Sequence, residues 1–442
     1  MNLFNKKVLV VGLGKTGLET AKFLLHKGAK VGVSDLSEYR NLNHEVKEVI
    51  NGAERVELGK HSKDMFLWPE IIILSPGIRF NNEYVTLALS EGIDVVSEVE
   101  LAWRFIKKPI IALTGSNGKT TTATLISKIL EADGKRVFLG GNIGTPLIHI
   151  AEKDSDYDYI VAELSSFQLQ GIKMFRPYIG IILNISQNHL NHHESFDEYI
   201  ASKFKLFENQ TNSDFCIYNS EDPNIPGHMN NIKAIKIPFG AEPHVNKVFS
   251  DNNNIYNGED IYNLEGMKLI GRHNIENAMA SIACASILGI NAKIARDEII
   301  NFDPLPHRIE FIGDVRGGRF FNDSKSTTPH STLRAIESLD SPIILIAGGR
   351  DKGTSFDILK NAIKKKVKLV ILIGESRFRI QKEIGGEVKT EIASSLEDAI
   401  TKTVKNLEAG DTVLFSPACT SFDMFNSYEE RGIRFKQIVN EL

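Results

Sequence analysis

The stretch IIALTGSNGKTTT at residues 110–122 decides the fold. An apolar run that predicts a β-strand leads into the glycine-rich loop GSNGKT, and the helix-like segment TTATLISKILEADG follows it. Such a loop wraps phosphate groups with its backbone N–H groups, and this one is a shortened form of the G-x-x-x-x-G-K-[ST] pattern. We expect Lys119 to reach the terminal phosphates and the Thr120 hydroxyl to bind Mg²⁺. The stretch therefore predicts an α/β domain that binds ATP.

Short apolar runs of the same kind recur along the whole chain. Helix-like segments lie between them, and this alternation is typical of parallel sheets that are covered by helices on both faces. The predicted fold class is therefore α/β throughout. The other runs that predict strands are KVLVVG, KVGVSD, EIIILSPG, YIVAEL, IGIILN, PIILIAGG, VKLVILIG and DTVLFSP.

Two proline-containing seams divide this pattern, KKP at 107–109 and DPLPH at 303–307. Because proline-rich joints between periodic segments are typical linkers, they predict three domains. The predicted domains are residues 1–108, 109–303 and 304–442. Within the middle domain, the stretch 241–270 is punctuated by Asn and Gly, which predicts a small β excursion.

The composition excludes several classes of protein. The 442 residues include 52 basic and 56 acidic side chains, and nucleic-acid binding usually requires a basic excess, so no nucleic-acid partner is expected. No apolar stretch approaches the ~18 residues of a membrane span. Cys216, Cys284 and Cys419 are far apart, which indicates buried thiols rather than a disulfide framework. A reducing, cytoplasmic setting is the expectation.

A second glycine loop lies near the start of the chain, in VLVVGLGKTG at 8–17. Gly12, Gly14 and Gly17 match G-x-G-x-x-G directly after a predicted strand, and the next predicted strand ends at Asp35. The pattern indicates a pyrophosphate joined to a ribose, which NAD, FAD and a UDP-sugar all contain. The motif alone leaves these ligands open, as well as a tight turn without a ligand.

The two loops together favour an enzyme that uses ATP on a nucleotide-linked substrate. An NAD-dependent oxidoreductase does not need the lysine of a GKT loop, but it remains an alternative if the second loop is an accessory site. A nucleotide-sensing protein without turnover is the alternative outside the enzymes.

Candidate metal ligands follow the two strands after the phosphate loop. Glu163 and His189 are expected at the carboxyl ends of these strands, where parallel sheets bind their ligands. His192 and His193 come next, but no matching Cys or His pair completes a zinc site, so surface positions are expected for both. Lys203 lies in the amphipathic segment SFDEYIASKFKLF and, by itself, would be expected to face solvent.

These motifs, taken in order, resemble the Mur ligase family of peptidoglycan synthesis over nearly the whole chain. The segments that carry the resemblance are TGSNGKTTT, GGNIGTP at 140–146, ELSSFQL at 163–169, NHL at 188–190, GRHNIENAMA at 271–280, LPHRIE at 305–310, NDSKSTTP at 322–329, GGRDKG at 348–353 and SPACTSFDMF at 416–425.

The resemblance implies a fold and an activity. It implies a Rossmann-like first domain that binds a UDP-sugar, a central P-loop ATPase-like domain, and a Rossmann-like third domain that binds an amino acid. The VGLGKTG start, the DSKSTTP segment and the SPACTSFDMF ending resemble the members that add D-glutamate to UDP-N-acetylmuramoyl-L-alanine. In that reaction ATP activates a carboxylate as an acyl phosphate. Mg²⁺ at two sites and a carbamoyl group on Lys203, derived from CO₂, would assist.

Site residues are implied by matched position. Those for ATP are Gly115, Ser116, Asn117, Gly118, Lys119, Thr120, Thr121, Asn274, Asn277, Arg308 and Asp323. The implied metal ligands are Thr120, Glu163, His189 and Lys203. The implied catalytic residues are Lys119, Glu163, His189 and Lys203. Those for the UDP-linked substrate are Gly14, Lys15, Thr16, Asp35, Gly77, Asn142 and Gln168. Those for the amino acid are Lys325, Thr327, Lys352, Ser421 and Tyr428.

The chain departs from the family pattern beside the metal-binding histidine. The usual Asp-His-Leu-Asp run is here Asn188-His189-Leu190-Asn191, which removes two negative charges. Thr328 stands where the family has Asn, and Tyr428 stands where Phe is common.

Overall fold

The computed structural model describes residues 1–41, 44–187, 193–243, 247–251, 253–386 and 388–442. Contacts among these residues divide the chain into two compact units. The first comprises Met1–Ile185, Ser195–Tyr262 and Met279–Glu298, and the second is built mainly from Asn263–Ala278 and Ile299–Leu442. The three-domain division predicted from the sequence stays a prediction.

The first unit begins with a parallel sheet in the order β3-β2-β1-β4-β5. Its central strands are buried along almost their whole length, because helices cover both faces. The strands are β1 Lys7–Val11, β2 Lys30–Asp35, β3 Arg55–Leu58, β4 Ile71–Leu74 and β5 Asp94–Ser97. The helices are α1 Lys15–His26, α2 His44–Gly52, α3 Lys63–Leu67, α4 Glu83–Ser90 and α5 Glu98–Trp103.

The second sheet has the order β14-β13-β12-β11-β10-β9-β6-β8-β7. It is parallel from β7 to β12 and turns antiparallel between β12 and β13. The strands are β6 Ile110–Thr114, β7 Val137–Gly141, β8 Tyr159–Glu163, β9 Ile179–Ile182, β10 Phe215–Asn219, β11 Ile235–Gly240, β12 Val248–Ser250, β13 Asn254–Asn257 and β14 Asp260–Asn263. The helices along this part of the chain are α6 Lys119–Ala132, α7 Ser166–Gln170, α8 Phe196–Phe204, α9 Arg272–Ile287 and α10 Ala292–Asn301.

Two carboxylates of α5, which follows the first sheet in the chain, accept hydrogen bonds from loops of the second sheet. Glu98 accepts the backbone N–H of Ile148 at 2.6 Å. Glu100 accepts three consecutive N–H groups from residues 173–175, each at 2.9 Å. The N–H groups of Ile148 and Phe175, which would otherwise be buried without a partner, are thereby satisfied. These hydrogen bonds connect the first two sheets within one compact unit.

The third sheet has the order β15-β16-β20-β17-β18-β19 and is parallel apart from the β15–β16 pair. The strands are β15 Glu310–Val315, β16 Gly318–Asn322, β17 Ile343–Gly348, β18 Val367–Ile373, β19 Lys389–Ile392 and β20 Thr412–Phe415. The helices are α11 Pro329–Ser338, α12 Lys360–Lys366, α13 Arg377–Ile384, α14 Leu396–Asn406 and α15 Tyr428–Asn440.

The expectations about fold class are confirmed. Each apolar run that was predicted to be a β-strand contains one in the structure, and the predicted β excursion at 241–270 contains β12, β13 and β14. The three cysteines are buried and unpaired. None of the helices in the described ranges combines the length and the apolar character needed to cross a lipid bilayer.

Candidate active site

The GSNGKT loop connects β6 to α6 at the carboxyl edge of the second sheet. Gly115 has φ 155° and Gly118 has φ 83°, a region that side chains with a Cβ rarely adopt. Asn184, which follows β9, holds the loop from one side. Its carbonyl accepts the N–H of Ser116 at 2.9 Å, and its amide group exchanges two hydrogen bonds with the backbone of Asn117, at 2.8 and 3.1 Å. The loop is therefore fixed at the start of a helix, where N–H groups can receive phosphate.

The lysine of the loop folds back on the loop, whereas the neighbouring hydroxyl reaches the end of β8. Lys119 Nζ donates to the carbonyls of Gly115 and Ser116, at 2.8 and 3.2 Å. The Thr120 hydroxyl donates to Glu163 Oε2 at 2.9 Å. Thr121, in the same first turn, is buried. The parallel register of β6 and β8 brings the loop and Glu163 to one edge of the sheet.

Glu163 has a second partner. Asn142, in the loop after β7, donates from its side-chain amide to Glu163 Oε1 at 2.9 Å. The oxygens of Thr120 and Glu163 are the hard ligands that Mg²⁺ prefers, so these residues fit the metal. His189 lies outside the described residues. Within the described ranges no group of three or more His, Cys, Asp or Glu side chains is placed to hold a metal ion.

Lys203 lies directly under the phosphate loop. It is 2% exposed, so the solvent-facing position expected from its helix pattern is wrong. Its Nζ donates to the Gly115 carbonyl at 3.0 Å and lies 4.6 Å from the ring centre of Tyr199. Burial, and then the nearby charge of Lys119, hold its pKa well below the ordinary 10.5, although Glu163 opposes this shift. The amine is therefore biased toward its neutral form.

His193 also differs from expectation. It is 3% exposed, so the surface position expected for it is wrong. His192 lies outside the described residues.

The first glycine loop has the close packing that its motif predicts. Gly12 has φ 88°, and a Cβ on Gly17 would lie 1.8 Å from the Gly12 carbonyl oxygen. Asp35 Oδ2 accepts the N–H of Leu13 at 2.5 Å, and Oδ1 accepts the N–H of Ser37 at 2.7 Å. Burial raises the pKa of Asp35, but these hydrogen bonds outweigh it and place the pKa below 3.8. The carboxylate therefore stays charged beside the loop.

Two glycines among the candidate substrate-binding residues, Gly14 and Gly77, face open space. A Cβ on Gly14 or Gly77 would meet nothing within 4 Å. Lys15 Nζ donates to the Gly144 carbonyl at 2.6 Å, so α1 contacts the loop that carries Asn142. The Thr16 carbonyl accepts the Thr20 hydroxyl at 2.8 Å. The structure thus brings these candidates for the UDP-linked substrate to one side of the first unit.

Gln168 has a local partner instead. It forms a capping box with Ser165 at the start of α7, in which Gln168 Oε1 accepts the Ser165 N–H at 3.0 Å. Gln168 is 3% exposed, and its carbonyl oxygen is engaged by the helix end. The assignment of Gln168 to the UDP-linked substrate stays a prediction.

Candidate residues for the nucleotide lie on α9 and after β16. The Asn274 side chain donates to the Ile270 carbonyl at 2.7 Å, and the Asn277 side chain donates to Asn274 Oδ1 at 3.1 Å. Asp323 is buried, and its burial raises its pKa to about 6. The Ser416 hydroxyl donates to Asp323 at 2.7 Å, and the charge of Arg308 acts on the same carboxyl.

Candidate residues for the amino acid lie on three loops at the carboxyl edge of the third sheet. Lys325 Nζ lies 3.6 Å from the centre of the Tyr428 ring, a cation–π contact. Thr327 is half-buried on the same loop as Lys325. Ser421 is buried on the loop after β20, and Lys352 lies on the loop after β17, where burial lowers its pKa. Two lysines near one edge suit a ligand with two carboxylates.

Sequence reasoning missed several residues that shape the site. Asn184 could have been predicted, because it is the polar residue that ends the apolar IGIILN run. Tyr199, whose hydroxyl lies 2.9 Å from Ser116 Oγ, and Glu98 carry no local signal because their partners are distant in sequence.

The fold and the site together define a nucleotide-dependent enzyme of the phosphate-loop type, with a second glycine loop on a separate sheet. The chain belongs to the Mur ligase family of ATP-dependent ligases. The family model of the Mur ligase MurD-like N-terminal domain matches residues 6–97, the Mur ligase middle domain matches 113–285, and the Mur ligase glutamate ligase domain matches 307–419.

Relatives match from end to end. UDP-N-acetylmuramoylalanine–D-glutamate ligase of Geotalea uraniireducens is 40% identical, with 100% of this chain and 99% of the relative covered. The protein of the same name from Geobacter sp. strain M21 is 42% identical, with 99% and 98% covered.

Solved structures share the fold at low identity. UDP-N-acetylmuramate-alanine ligase MurC from Thermotoga maritima has a TM-score of 0.59 at 19% identity, with 99% of each chain covered. MurF ligase from the same organism, solved in complex with ADP, has a TM-score of 0.60 at 15% identity, with 99% of this chain and 96% of that one covered.

Proposed function

We propose that this enzyme joins D-glutamate to the alanine carboxylate of UDP-N-acetylmuramoyl-L-alanine, with ATP converted to ADP and phosphate. The product is a precursor of peptidoglycan, and the reaction takes place in the cytoplasm. The observation that carries the proposal is the hydrogen bond between Thr120, in the loop that also carries Lys119, and Glu163 at the end of β8, in a chain whose full-length relatives bear the name of this ligase.

The chemistry requires an activated carboxylate. A carboxylate is a poor electrophile because resonance spreads its charge, and phosphorylation by ATP converts one of its oxygens into a leaving group. The amine of D-glutamate then attacks the acyl phosphate, and the tetrahedral intermediate expels phosphate as the amide forms. The amine must lose a proton to attack. Positioning and charge stabilisation supply the catalysis of phosphoryl transfer.

The phosphate loop would grip the triphosphate. Backbone N–H groups of the GSNGKT loop would bind the phosphates, and Lys119 would leave the carbonyls of its own loop to neutralise the transferred group. Thr120, Glu163, His189 and the carbamoylated Lys203 would hold Mg²⁺, for which two sites are proposed. When bound, Mg²⁺ neutralises the phosphate oxygens and aligns them for transfer.

Lys203 would act as a carbamate. The neutral form of its amine, which its burial favours, attacks the carbon of CO₂. An N–C bond forms, one C=O electron pair moves to oxygen, and the nitrogen releases a proton to water. The product is an anion in place of a cation beside the Gly115 carbonyl. Such an anion suits a metal ion, whereas the lysine ammonium would repel it.

The substrates would be divided between the two compact units. Gly14, Lys15, Thr16, Asp35 and Asn142 would bind the UDP-linked substrate, with Gly77 leaving space for it. Lys325, Thr327, Lys352, Ser421 and Tyr428 would bind D-glutamate, where the lysines balance its two carboxylates.

One experiment tests the proposal. The purified enzyme is incubated with ATP, Mg²⁺ and UDP-N-acetylmuramoyl-L-alanine that carries ¹⁸O in its alanine carboxylate, with D-glutamate, L-glutamate or another amino acid. We expect phosphate release only with D-glutamate, a product of the mass of the amide, and ¹⁸O in the released phosphate. Phosphate release without dependence on the UDP-linked substrate, or phosphate that never contains ¹⁸O, would overturn it.

A further inference from the structure

The guanidinium group of Arg431, in the first turn of α15, is completely buried, with 0% of the residue exposed. Its Nε donates to the Ser324 hydroxyl at 3.0 Å, and its Nη2 donates to the carbonyls of Ser324 and Cys419, at 2.8 and 3.1 Å. The Ser324 hydroxyl in turn donates to the Tyr428 carbonyl at 2.9 Å. One side chain therefore binds two loops to the start of one helix.

Both of these loops carry candidate residues for the amino acid. Ser324 immediately precedes Lys325, and Cys419 lies two residues before Ser421. The third loop also contacts the guanidinium, because a Cβ built on Gly349 would lie 3.2 Å from Arg431 Nη1. Arg431 is thus the point at which the loops after β16, β17 and β20 meet.

The position of Arg431 is fixed by the close packing of Gly432, the next residue on the helix. A Cβ on Gly432 would lie 2.2 Å from His307 Nδ1, and the Gly432 carbonyl accepts the Asn322 side chain at 3.2 Å. The helix is therefore held against β16 at this turn, and the guanidinium has little freedom to shift.

Among the residues that the structure describes, Arg431 forms no ion pair with a carboxylate. In the described part of the chain, all of its hydrogen bonds go to uncharged oxygens, and Nη1 is buried without a partner. Burial lowers its pKa to about 10. An arginine buried in this way is costly to stability unless hydrogen bonds and nearby negative charge offset it. Asp423 and Asp323 supply part of this negative charge, and a ligand with two carboxylates would add to it close to the loops that Arg431 holds.

We propose that Arg431 is a positioning residue of the amino-acid subsite, which holds the loops of Lys325, Lys352 and Ser421 in register and adds positive charge beneath a bound dicarboxylate. The inference rests on the proposed function of the third sheet's edge as the D-glutamate subsite. Arg431 itself makes no contact with substrate, since its free nitrogen is shielded from solvent.

The test compares Arg431→Lys and Arg431→Ala with the wild-type enzyme in steady-state kinetics on each substrate. We expect Arg431→Lys to raise the KM for D-glutamate about 10-fold or more, while the KM for ATP and the kcat change by less than about 3-fold. A lysine keeps the charge but cannot bridge both loops, because it lacks the planar fork of the guanidinium. Added methylguanidinium should lower the KM for D-glutamate of Arg431→Ala and leave the wild type unchanged.

Arg434→Lys is the matched control. Arg434 lies one turn further along α15, is 42% exposed and donates to Glu397 at 2.9 Å. We expect all its kinetic constants to stay within about 2-fold of the wild type. An unchanged KM for D-glutamate in Arg431→Lys, an equal rise in every KM, or insoluble Arg431→Lys protein would overturn the inference. Failure of the wild-type enzyme to use D-glutamate would instead overturn the proposed function.

Discussion

The Thr120 hydroxyl lies 2.9 Å from Glu163 Oε2, and this hydrogen bond joins the first turn of α6 to the end of β8. The two residues are 43 positions apart in the chain. The parallel pairing of β6 with β8 brings them to one edge of the sheet. A hydroxyl and a carboxylate that are already in contact need little rearrangement to share a metal ion, so the pair is preorganised for the proposed chemistry.

The hydroxyl of Thr120 should be needed for metal-dependent turnover. We expect Thr120→Ala to raise the Mg²⁺ concentration for half-maximal activity about 10- to 100-fold, because one oxygen ligand is lost. Thr120→Ser, which keeps the hydroxyl, should stay within about 3-fold of the wild type. Phosphate release measured over a Mg²⁺ titration gives both values.

Thr124 provides the control for this prediction. Its hydroxyl donates to the Thr120 carbonyl at 2.8 Å on the same helix but does not reach Glu163. Thr124→Ala should leave the Mg²⁺ dependence unchanged. Equal Mg²⁺ dependence in Thr120→Ala and the wild type would remove Thr120 from the metal site.

Replacement of Lys203 should abolish most activity without unfolding the protein. We expect Lys203→Ala to lower kcat at least about 100-fold, because the proposed carbamate anion is lost from the phosphate loop. Short-chain carboxylic acids such as acetate should restore part of the activity, since a carboxylate can occupy the vacated space. Lys153→Ala, at an exposed lysine, is the control. Full activity of Lys203→Ala would refute the assignment.

Substitution by alanine should lower the stability of the protein at Gly17 and should weaken substrate binding at Gly14. In Gly17→Ala, the new Cβ would lie 1.8 Å from the Gly12 carbonyl oxygen, so we expect a loss of stability of about 3 kcal/mol or more. In Gly14→Ala, nothing lies within 4 Å of the Cβ, so the melting temperature should be unchanged. The KM for the UDP-linked substrate should nevertheless rise in Gly14→Ala, because the Cβ would project into the space proposed for its pyrophosphate.

Thermal melting and substrate kinetics of both variants check this pair. Stable Gly17→Ala protein would contradict the packing argument. A Gly14→Ala enzyme with an unchanged KM for the UDP-linked substrate would show that the substrate binds away from this loop.

The buried carboxyl of Glu98 should make stability depend on pH. Burial raises its pKa from 4.5 to about 7, so the folded state binds its proton more tightly than the unfolded chain does. Stability contributed by this proton is present at low pH and declines as the pH rises from 4.5 to about 7. We expect the unfolding free energy of the wild type to fall by about 2–3 kcal/mol more than that of Glu98→Gln between about pH 5 and pH 7.5.

Urea unfolding at the two pH values measures this difference. Glu98→Gln is suitable because its side chain stays neutral at both values and can still accept the N–H of Ile148. Glu54→Gln, at an exposed side chain, should follow the wild type. Parallel pH profiles for the wild type and Glu98→Gln would show that Glu98 is not protonated in the folded state.

Local pattern was sufficient for the most apolar strands and for both glycine loops, but strands such as β3, β10 and β19 were not predicted. The IIALTG run is apolar enough to be a buried strand wherever it packs, and the glycines at 115 and 118 adopt angles that other residues rarely adopt. The order of strands in each sheet carried no comparable local signal, because strand pairing depends on contacts between segments that are distant in sequence.

What the sequence by itself determined about this protein is its α/β class, its most apolar strands, its two phosphate-type loops and the family motifs, because these depend on neighbouring residues. Only the tertiary structure decided which of its charged side chains are buried. Lys203 lies on an amphipathic helix and would face solvent in isolation, yet α8 packs it under Gly115. Arg431 and Glu98 are buried for the same reason: whether water or protein surrounds a charge depends on which elements pack over it, and that depends on the whole chain.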